Sequence, residues 1–189
     1  MFDLERFIAD CEAAVADRDD HTAAREVLAR AVADPGAVLA TLGEPKRAGI
    51  EVLHRGPRVT ILNLVWGPRM SFMPHNHHMW ALIGLYTGRE DNIFWRRLPE
   101  PGDRPQRGDR VEAAGARSIG PGEVCPLGAD IIHSVLNPLP RLTAAIHVYG
   151  GDFLKQERSE WDPENLVERA YDAERARALF EASNRFGPA

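Results

Sequence analysis

Short runs of β-branched and aromatic residues dominate the middle of the chain. Three of them, VTILNLVW, ALIGLYTG and AAIHVYG, begin at residues 59, 81 and 144, and turn-forming pairs and triplets such as GP, PG and LPR lie between runs of this kind. Runs of this length and composition predict strands, and the Gly and Pro pairs predict the turns between them. Many short strands with regular turns are typical of a β-sandwich or a β-barrel. The sequence therefore predicts a mainly β core.

Both ends of the chain show helical spacing instead. Two short helices fit residues 1–42, with ADPGAV at residues 33–38 as the break between them. Residues 162–184 begin with an Asp-Pro pair and continue with helical spacing, so we predict a C-terminal helix there. A chain of 189 residues is expected to form one domain, 1–189, with a helical N-terminal segment (1–42), a β-barrel core (50–155) and the C-terminal helix.

Composition narrows the range of partners. A net charge of -5 and arginines scattered among acids disfavour a nucleic-acid surface. No apolar run approaches the ~20 residues of a membrane helix, and the acidic start lacks the features of a secretion signal, so we expect a cytoplasmic protein without a membrane partner. Cys11 and Cys125 lie far apart, which predicts reduced thiols and no disulfide framework. A monomer and a homodimer both remain open.

Residues 74–80 read PHNHHMW and place three of the seven histidines within four positions. Side chains two apart on a strand project to the same face, so His75 and His77 can converge on one ion while His78 points the other way. His133 follows PGEVCPLGADII and is expected on a later strand that folds back beside the first. We expect three neutral imidazoles around one metal ion. The alternative is a solvated strand end and an ordinary core histidine.

The histidine segments carry a resemblance to a known family. PHNHHMWALIGLYTG and PGEVCPLGADIIHSVLNP resemble the two cupin motifs. More narrowly, LNLVWGPRMSFMPHNHHMWALIGLYTGRED and DIIHSVLNPLPRLTAAIHVYGGDF are similar to the cysteine dioxygenase-type thiol dioxygenases, in particular the bacterial 3-mercaptopropionate dioxygenases. The resemblance implies a cupin double-stranded β-helix, or jelly-roll barrel, with iron(II) held by His75, His77 and His133. It also implies a non-haem iron enzyme that uses dioxygen to convert a small thiol, a mercapto acid, to its sulfinic acid.

The ligand chemistry is compatible with that reading. Most cupins carry a Glu a few residues after the second histidine, but His77 is followed by HMWAL. Three neutral ligands leave the full charge of the ion for a soft, anionic thiolate to neutralise. Zinc with three histidines and a water is a competing use of such a site, and manganese or nickel also remains open. Two other functions stay open: a three-His cupin dioxygenase or isomerase acting on a carbon substrate such as a diketone, and a non-catalytic ligand-binding cupin.

His147 and Tyr149 stand two residues apart in AAIHVYG and are expected on one strand face. By resemblance they form a catalytic relay, with the phenol directed at the metal. The relatives carry a serine where this chain has Ala145, so the relay is truncated. The cysteine that crosslinks to the tyrosine in the mammalian enzymes is replaced by Ala81, so no thioether can form.

Family enzymes hold the substrate carboxylate with an arginine, because a guanidinium grips a carboxylate through two parallel hydrogen bonds. Arg158, nine residues after Tyr149, lies where the mercaptopropionate enzymes place it, and Arg55 and Arg58 precede the first motif as in the cysteine enzymes. All three are candidates for binding substrate.

Two polar stretches are expected to form turns. In REDN, residues 89–92, we predict a hairpin in which Asp91 and Asn92 bond to the backbone. Residues 98–117 are rich in Gly and Pro and are predicted as a hairpin excursion followed by a strand.

Overall fold

The structure is a computed structural model that describes residues 1–16, 21–98 and 110–185. Within these ranges the chain forms four helices and eleven strands. In chain order they are α1 (Leu4–Ala14), α2 (Thr22–Val32), α3 (Pro35–Leu42), β1 (Gly49–Arg55), β2 (Thr60–Trp66), β3 (Ser71–Asn76), β4 (Ala81–Thr87), β5 (Glu90–Arg97), β6 (Val111–Ile119), β7 (Val124–Leu127), β8 (Ile132–Leu136), β9 (Thr143–Tyr149), β10 (Ser159–Trp161), β11 (Glu168–Ala170) and α4 (Ala173–Arg185).

Eight of the strands form a jelly roll. One sheet has the order β1-β2-β9-β4-β7 and the other β11-β10-β3-β8-β5-β6. The pairs are nested and antiparallel: β5 pairs with β6, β4 with β7, β3 with β8 and β2 with β9. One long antiparallel double strand is therefore coiled into two facing sheets, which is a double-stranded β-helix. The predicted fold class is confirmed.

Period-two alternation decides which side chains enter the barrel. On β9, Ala145 and Tyr149 belong to the inner apolar cluster, whereas Ile146 and Val148 belong to a second cluster under the N-terminal helices. Every residue of β2 and β9 is buried, because the helices cover the outer face of their sheet. This double burial explains why the strands read as nearly continuous apolar runs.

The N-terminal segment contains three helices in its described residues, not the predicted two. Asp3 caps α1 by accepting a hydrogen bond from the N–H of Arg6, and Asp34 caps α3 by accepting one from that of Ala37. The predicted break at residues 33–38 does separate two helices, α2 from α3, because Pro35 can begin a helix but cannot continue one. A second break, between α1 and α2, was not predicted.

The C-terminal helix begins at Ala173, so the prediction of a helix from residue 162 was wrong. The carboxylate of Asp162 accepts hydrogen bonds from the N–H groups of Glu164 and Asn165, as in a helix cap, but Leu166 then has a positive φ of 58° and the chain enters β11. Strand β11 pairs with β10, which extends the sheet beyond the predicted core of 50–155. The cap of α4 is Asp172.

Part of the predicted excursion at residues 98–117 cannot be compared, since residues 99–109 lie outside the described ranges. A strand does end this stretch, but β6 begins at Val111 and so occupies the last part of the predicted excursion. No helix in the described part of the chain is long and apolar enough to cross a membrane.

Candidate metal centre

His75, His77 and His133 meet inside the barrel. His75 lies on β3 directly opposite His133 on β8, and His77 follows the end of β3. The Nε2 atom of His77 is 3.2 Å from that of His75 and 3.3 Å from that of His133. All three side chains are buried, and their ligand atoms lie within 4.8 Å of one another. In the described part of the chain no carboxylate or thiol joins this cluster.

A shift in the sheet register and a neighbouring strand orient two of these imidazoles. The β3–β8 register shifts between Phe72 and His75, around Pro74, which has no N–H to donate. The Nδ1–H of His75 donates to the carbonyl oxygen of Met73 at 3.0 Å. The Nδ1–H of His133 donates to Oδ1 of Asn92 on β5 at 2.7 Å.

These bonds determine where the lone pairs point. A neutral imidazole carries one ring proton, so His75 and His133 each keep a bare Nε2 directed at His77. A proton on His77 Nε2 can satisfy only one of them. A divalent cation satisfies all three, and partners that hold the far ring nitrogen are usual for metal-bound histidines. The residues present therefore fit a metal ion.

Burial also keeps the imidazoles neutral. It lowers the pKa of His75 to about 4, against a smaller opposing effect of the Met73 carbonyl. It lowers the pKa of His77 and that of His133 well below the usual value, and the neighbouring imidazoles add to the effect. Neutral imidazole is the form that binds metal.

His78 does not take part in the cluster. Its side chain is exposed and its backbone has a positive φ of 53°, which turns it away from the two buried neighbours in sequence. The structure thus separates His78 from His75 and His77, but the cause is the turn after β3 and not alternation along the strand, because His77 and His78 both lie beyond its last residue, Asn76.

His147 and Tyr149 line the same cavity from β9. Their contact joins His147 Nδ1 to the phenol oxygen at 3.1 Å, and the Tyr149 ring lies edge-on to His77 at 5.2 Å between ring centroids. Burial raises the pKa of Tyr149, so the phenol stays a neutral donor. Ala81 on β4 is directly opposite Tyr149, and Ala145 is an alanine on the inner face of β9. A thioether to Tyr149 therefore has no cysteine opposite it on β4.

Arg158 is the one predicted substrate arginine that reaches the cavity. Its guanidinium carbon lies between the rings of Phe153 and Tyr171, 3.9 and 4.0 Å from their centroids. Its Nε is buried and has no hydrogen-bond partner among the described residues. Burial lowers the pKa of Arg158, but an arginine keeps its proton in proteins. A cation with an unused donor therefore stands at the wall of the histidine site.

Arg55 and Arg58 lie elsewhere. Arg55, at the end of β1, forms two parallel hydrogen bonds with Asp152, at 2.8 and 3.1 Å. Arg58 is exposed in the turn between β1 and β2. Neither lines the two cavities next to the histidines.

Two neighbouring spaces share part of their lining, and the histidines line the inner one. The inner one, of about 30 Å³, is bounded by the histidines, Tyr149 and Arg158. The outer one is a cleft of about 680 Å³ between β1 and α4. Arg158, Tyr171 and Phe180 border both spaces, and Phe180 stacks on Trp66 at 5.3 Å. The inner chamber has room for one or two water molecules, so any larger ligand must also occupy the cleft.

The sequence interpretation missed the polar group behind His133. Asn92 and Glu90 occupy the inward face of β5, where we had predicted a turn bonding to the backbone. The Nδ2–H of Asn92 donates to Glu90 Oε1 at 2.9 Å, and Asp91 on the other face pairs with Arg89. The prediction for Asp91 and Asn92 was wrong, because both bond to side chains. Two polar residues at period two after a glycine turn were the available signal.

Several solved structures are similar to part of the chain. No protein-family model matches the sequence. A Klebsiella pneumoniae protein with a double-stranded β-helix domain is 9% identical, with 66% of this chain and 94% of that chain covered and a TM-score of 0.45. A cupin superfamily protein from Desulfitobacterium hafniense is 16% identical (60% and 88% covered, TM-score 0.43). An oxalate decarboxylase variant from Bacillus subtilis is 13% identical (58% and 27% covered, TM-score 0.42).

The chain has a double-stranded β-helix fold. Its nested antiparallel strand pairing establishes this architecture. Inside it, three buried histidines form a site that can bind a metal ion. The comparisons do not identify the metal, the reaction or the substrate.

Proposed function

We propose that this protein is an iron(II)-dependent thiol dioxygenase that converts a small mercapto acid to its sulfinic acid. The reaction balances as R–S⁻ + O₂ → R–SO₂⁻, in which sulfur loses four electrons and dioxygen gains them. The observation that carries the proposal is the donor set: three neutral imidazoles without a carboxylate, next to the buried cation of Arg158. The narrower resemblance of the sequence motifs to thiol dioxygenases supports the same reading.

His75, His77 and His133 would hold the ion. Iron(II), when bound, supplies a redox-active Lewis acid that lets dioxygen react with a thiolate. The protein's own contribution is charge balance, since neutral ligands leave the positive charge for an anionic substrate. Zinc can bind the same residues, but it has no redox chemistry.

Arg158 would bind the carboxylate of the substrate. Its stacking between Phe153 and Tyr171 holds the guanidinium plane in place, and its Nε has no hydrogen-bond partner among the described residues. A planar guanidinium suits a carboxylate through two parallel bonds. The thiol end of the ligand then reaches the inner chamber, and the carbon chain occupies the space between.

Tyr149 would orient the bound reactants, with His147 behind it. The phenol is held by the contact to His147 Nδ1 and by stacking on Phe153 at 3.8 Å between centroids. Its neutral hydroxyl has one proton, which it would share between His147 Nδ1 and a reactant bound close to the histidines. A preorganised donor next to developing charge is the usual source of a rate effect at such a position.

Oxygen uptake over a panel of thiols tests the function. The protein is loaded anaerobically with one equivalent of iron(II), and consumption of dioxygen is followed with mercaptoacetate, 3-mercaptopropionate, cysteine and cysteamine. Zinc-loaded protein is the matched control and should consume none. We expect uptake with thiols that carry a carboxylate and a sulfinate product that contains both atoms of isotopically heavy dioxygen.

Two other outcomes of these experiments would support one of the alternative functions. Oxygen uptake with a diketone and with no thiol would replace the proposal by a carbon-directed three-His dioxygenase. Tight ligand binding without turnover of any substrate would favour a non-catalytic cupin.

A further inference from the structure

Glu90 is a fully buried carboxylate at the start of β5 that the proposed reaction leaves without a role. Its Oε2 accepts a hydrogen bond from the indole N–H of Trp66 at 2.7 Å, and its Oε1 accepts one from Asn92 at 2.9 Å. The same Oε2 lies 3.9 Å from Nε2 of His147. Burying a carboxylate is costly unless its neighbours use the charge. The charge of Glu90 is therefore expected to act on the groups at these three contacts.

The charge of Glu90 acts on Nε2 of His147, the ring nitrogen that does not contact Tyr149. His147 Nδ1 contacts Tyr149, whereas its Nε2 is buried without a hydrogen-bond partner among the described residues. A neutral imidazole has one proton and two places for it. A negative oxygen near Nε2 favours the proton on Nε2, and Nδ1 must then accept from the Tyr149 hydroxyl. The distance of 3.9 Å exceeds a direct hydrogen bond and suits charge attraction or one bridging water.

The same carboxylate also acts on the metal ligand His133. By accepting from the Nδ2–H of Asn92, Glu90 directs the amide oxygen of Asn92 towards His133, where it accepts the Nδ1–H. An amide turned the other way would offer His133 a donor and push its proton to Nε2, the position that faces the metal. One carboxylate thus favours one tautomer of His147 and one tautomer of His133.

We infer that Glu90 is a positioning residue for both groups: it holds His147 as the Nε2–H tautomer and, through Asn92, keeps Nε2 of His133 free for the ion. Its effect on turnover rests on the proposed function. Its effect on the tautomer and on metal affinity does not.

Ring-nitrogen NMR of zinc-loaded protein tests the inference without any thiol. Protein labelled with ¹⁵N-histidine is examined at pH 8, above the pKa of Glu90, which burial raises to about 7. A His147→Gln variant assigns the His147 signals. We expect Nε2–H in the wild type and a mixed or reversed tautomer in Glu90→Gln. Asp91→Asn is the matched control, because it removes the adjacent carboxylate from the outward face of β5.

Zinc affinity, measured by competition with a chelator, gives the second readout. We expect Glu90→Gln to bind zinc roughly ten- to a hundredfold more weakly, the usual effect of losing a partner of a ligating histidine, and Asp91→Asn to bind it like the wild type. Wild-type His147 found as the Nδ1–H tautomer would overturn the inference even if Glu90→Gln failed to fold. So would a folded Glu90→Gln protein with unchanged tautomer and affinity. Failure of oxygen uptake alone would overturn the proposed function and leave both readouts intact.

Discussion

At the scale of single residues, the histidines divide into ligands and a bystander. His133→Ala should lose most bound metal, because it removes one of three converging Nε2 atoms. His78→Ala should keep it, because that side chain is exposed and turned away. Metal content after reconstitution and desalting checks both. Equal loss from the two variants would contradict the geometry described here.

The arginines give a second pair of matched variants. Arg158→Gln should raise the KM for acidic thiols roughly ten- to a hundredfold, because one charge-assisted contact is worth about 1.5 to 3 kcal/mol. Arg55→Gln should leave KM unchanged, since Arg55 pairs with Asp152 outside the cavity. Steady-state kinetics with a thiol that has a carboxylate and with one that lacks it separate the effects. A similar rise for both thiols would show that Arg158 does not bind the carboxylate.

Tyr149 belongs with the orienting groups and not with the ligands. Tyr149→Phe should retain its metal and slow turnover, because it removes a hydrogen-bond donor beside the site. Loss of one preorganised donor typically costs about 10² to 10³ in rate, and we expect the lower end for a hydroxyl whose proton is shared with His147. Metal analysis and kcat on the best thiol are the measurements. A variant as fast as the wild type would make Tyr149 a packing residue.

At the scale of elements, the turn between β4 and β5 decides which way the polar face of β5 points. Gly88 has a positive φ of 82°, and a Cβ there would lie 2.1 Å from Oγ1 of Thr143. Gly88→Ala should therefore cost about 2 to 4 kcal/mol of unfolding free energy, from backbone strain together with the clash. Gly115→Ala on β6, where a Cβ meets nothing within 4 Å, should change it little. Urea unfolding of both variants measures the difference, and equal midpoints would refute the prediction.

At the scale of the whole molecule, the buried imidazoles make stability depend on pH. His75, His77, His133 and His147 all have lowered pKa values when folded, with burial as the main cause. Unfolded histidines take up protons below about pH 6.5, whereas folded His75 does so only near pH 4, so stability falls as pH falls through this window. Glu90 acts in the opposite direction, because its raised pKa of about 7 favours folding on acidification.

The combined effect of the four histidines on the pH dependence of stability is larger than that of Glu90. Metal-free protein should lose on the order of 3 to 5 kcal/mol of unfolding free energy between pH 7.5 and pH 5. Bound metal should deepen the loss, because protonation of the ligands competes with the ion. Urea unfolding at the two pH values, with and without zinc, measures both effects. Stability that is flat over this range in the metal-free protein would show that the histidines are not buried as neutral groups.

Local patterns in the sequence determined the strands and part of the site. The apolar runs predicted β2, β4 and β9 with nearly correct bounds, because strand propensity and turn residues act over a few neighbours. Period-two alternation likewise placed His75 with His77, and His147 with Tyr149, on shared faces.

The tertiary structure alone decided which elements meet. Arg158 borders the site because β10 pairs with β3, while Arg55 at the end of β1 is directed to Asp152. Residues 168–170 pair with β10 as strand β11, although the spacing from residue 162 predicts a helix. The pairing of β5 with β8 brings Asn92 and Glu90 behind His133. These contacts join residues that are dozens of positions apart in the sequence. The free energy that selects them comes from packing and from buried hydrogen bonds across the barrel. No short segment of the sequence contains both partners of such interactions.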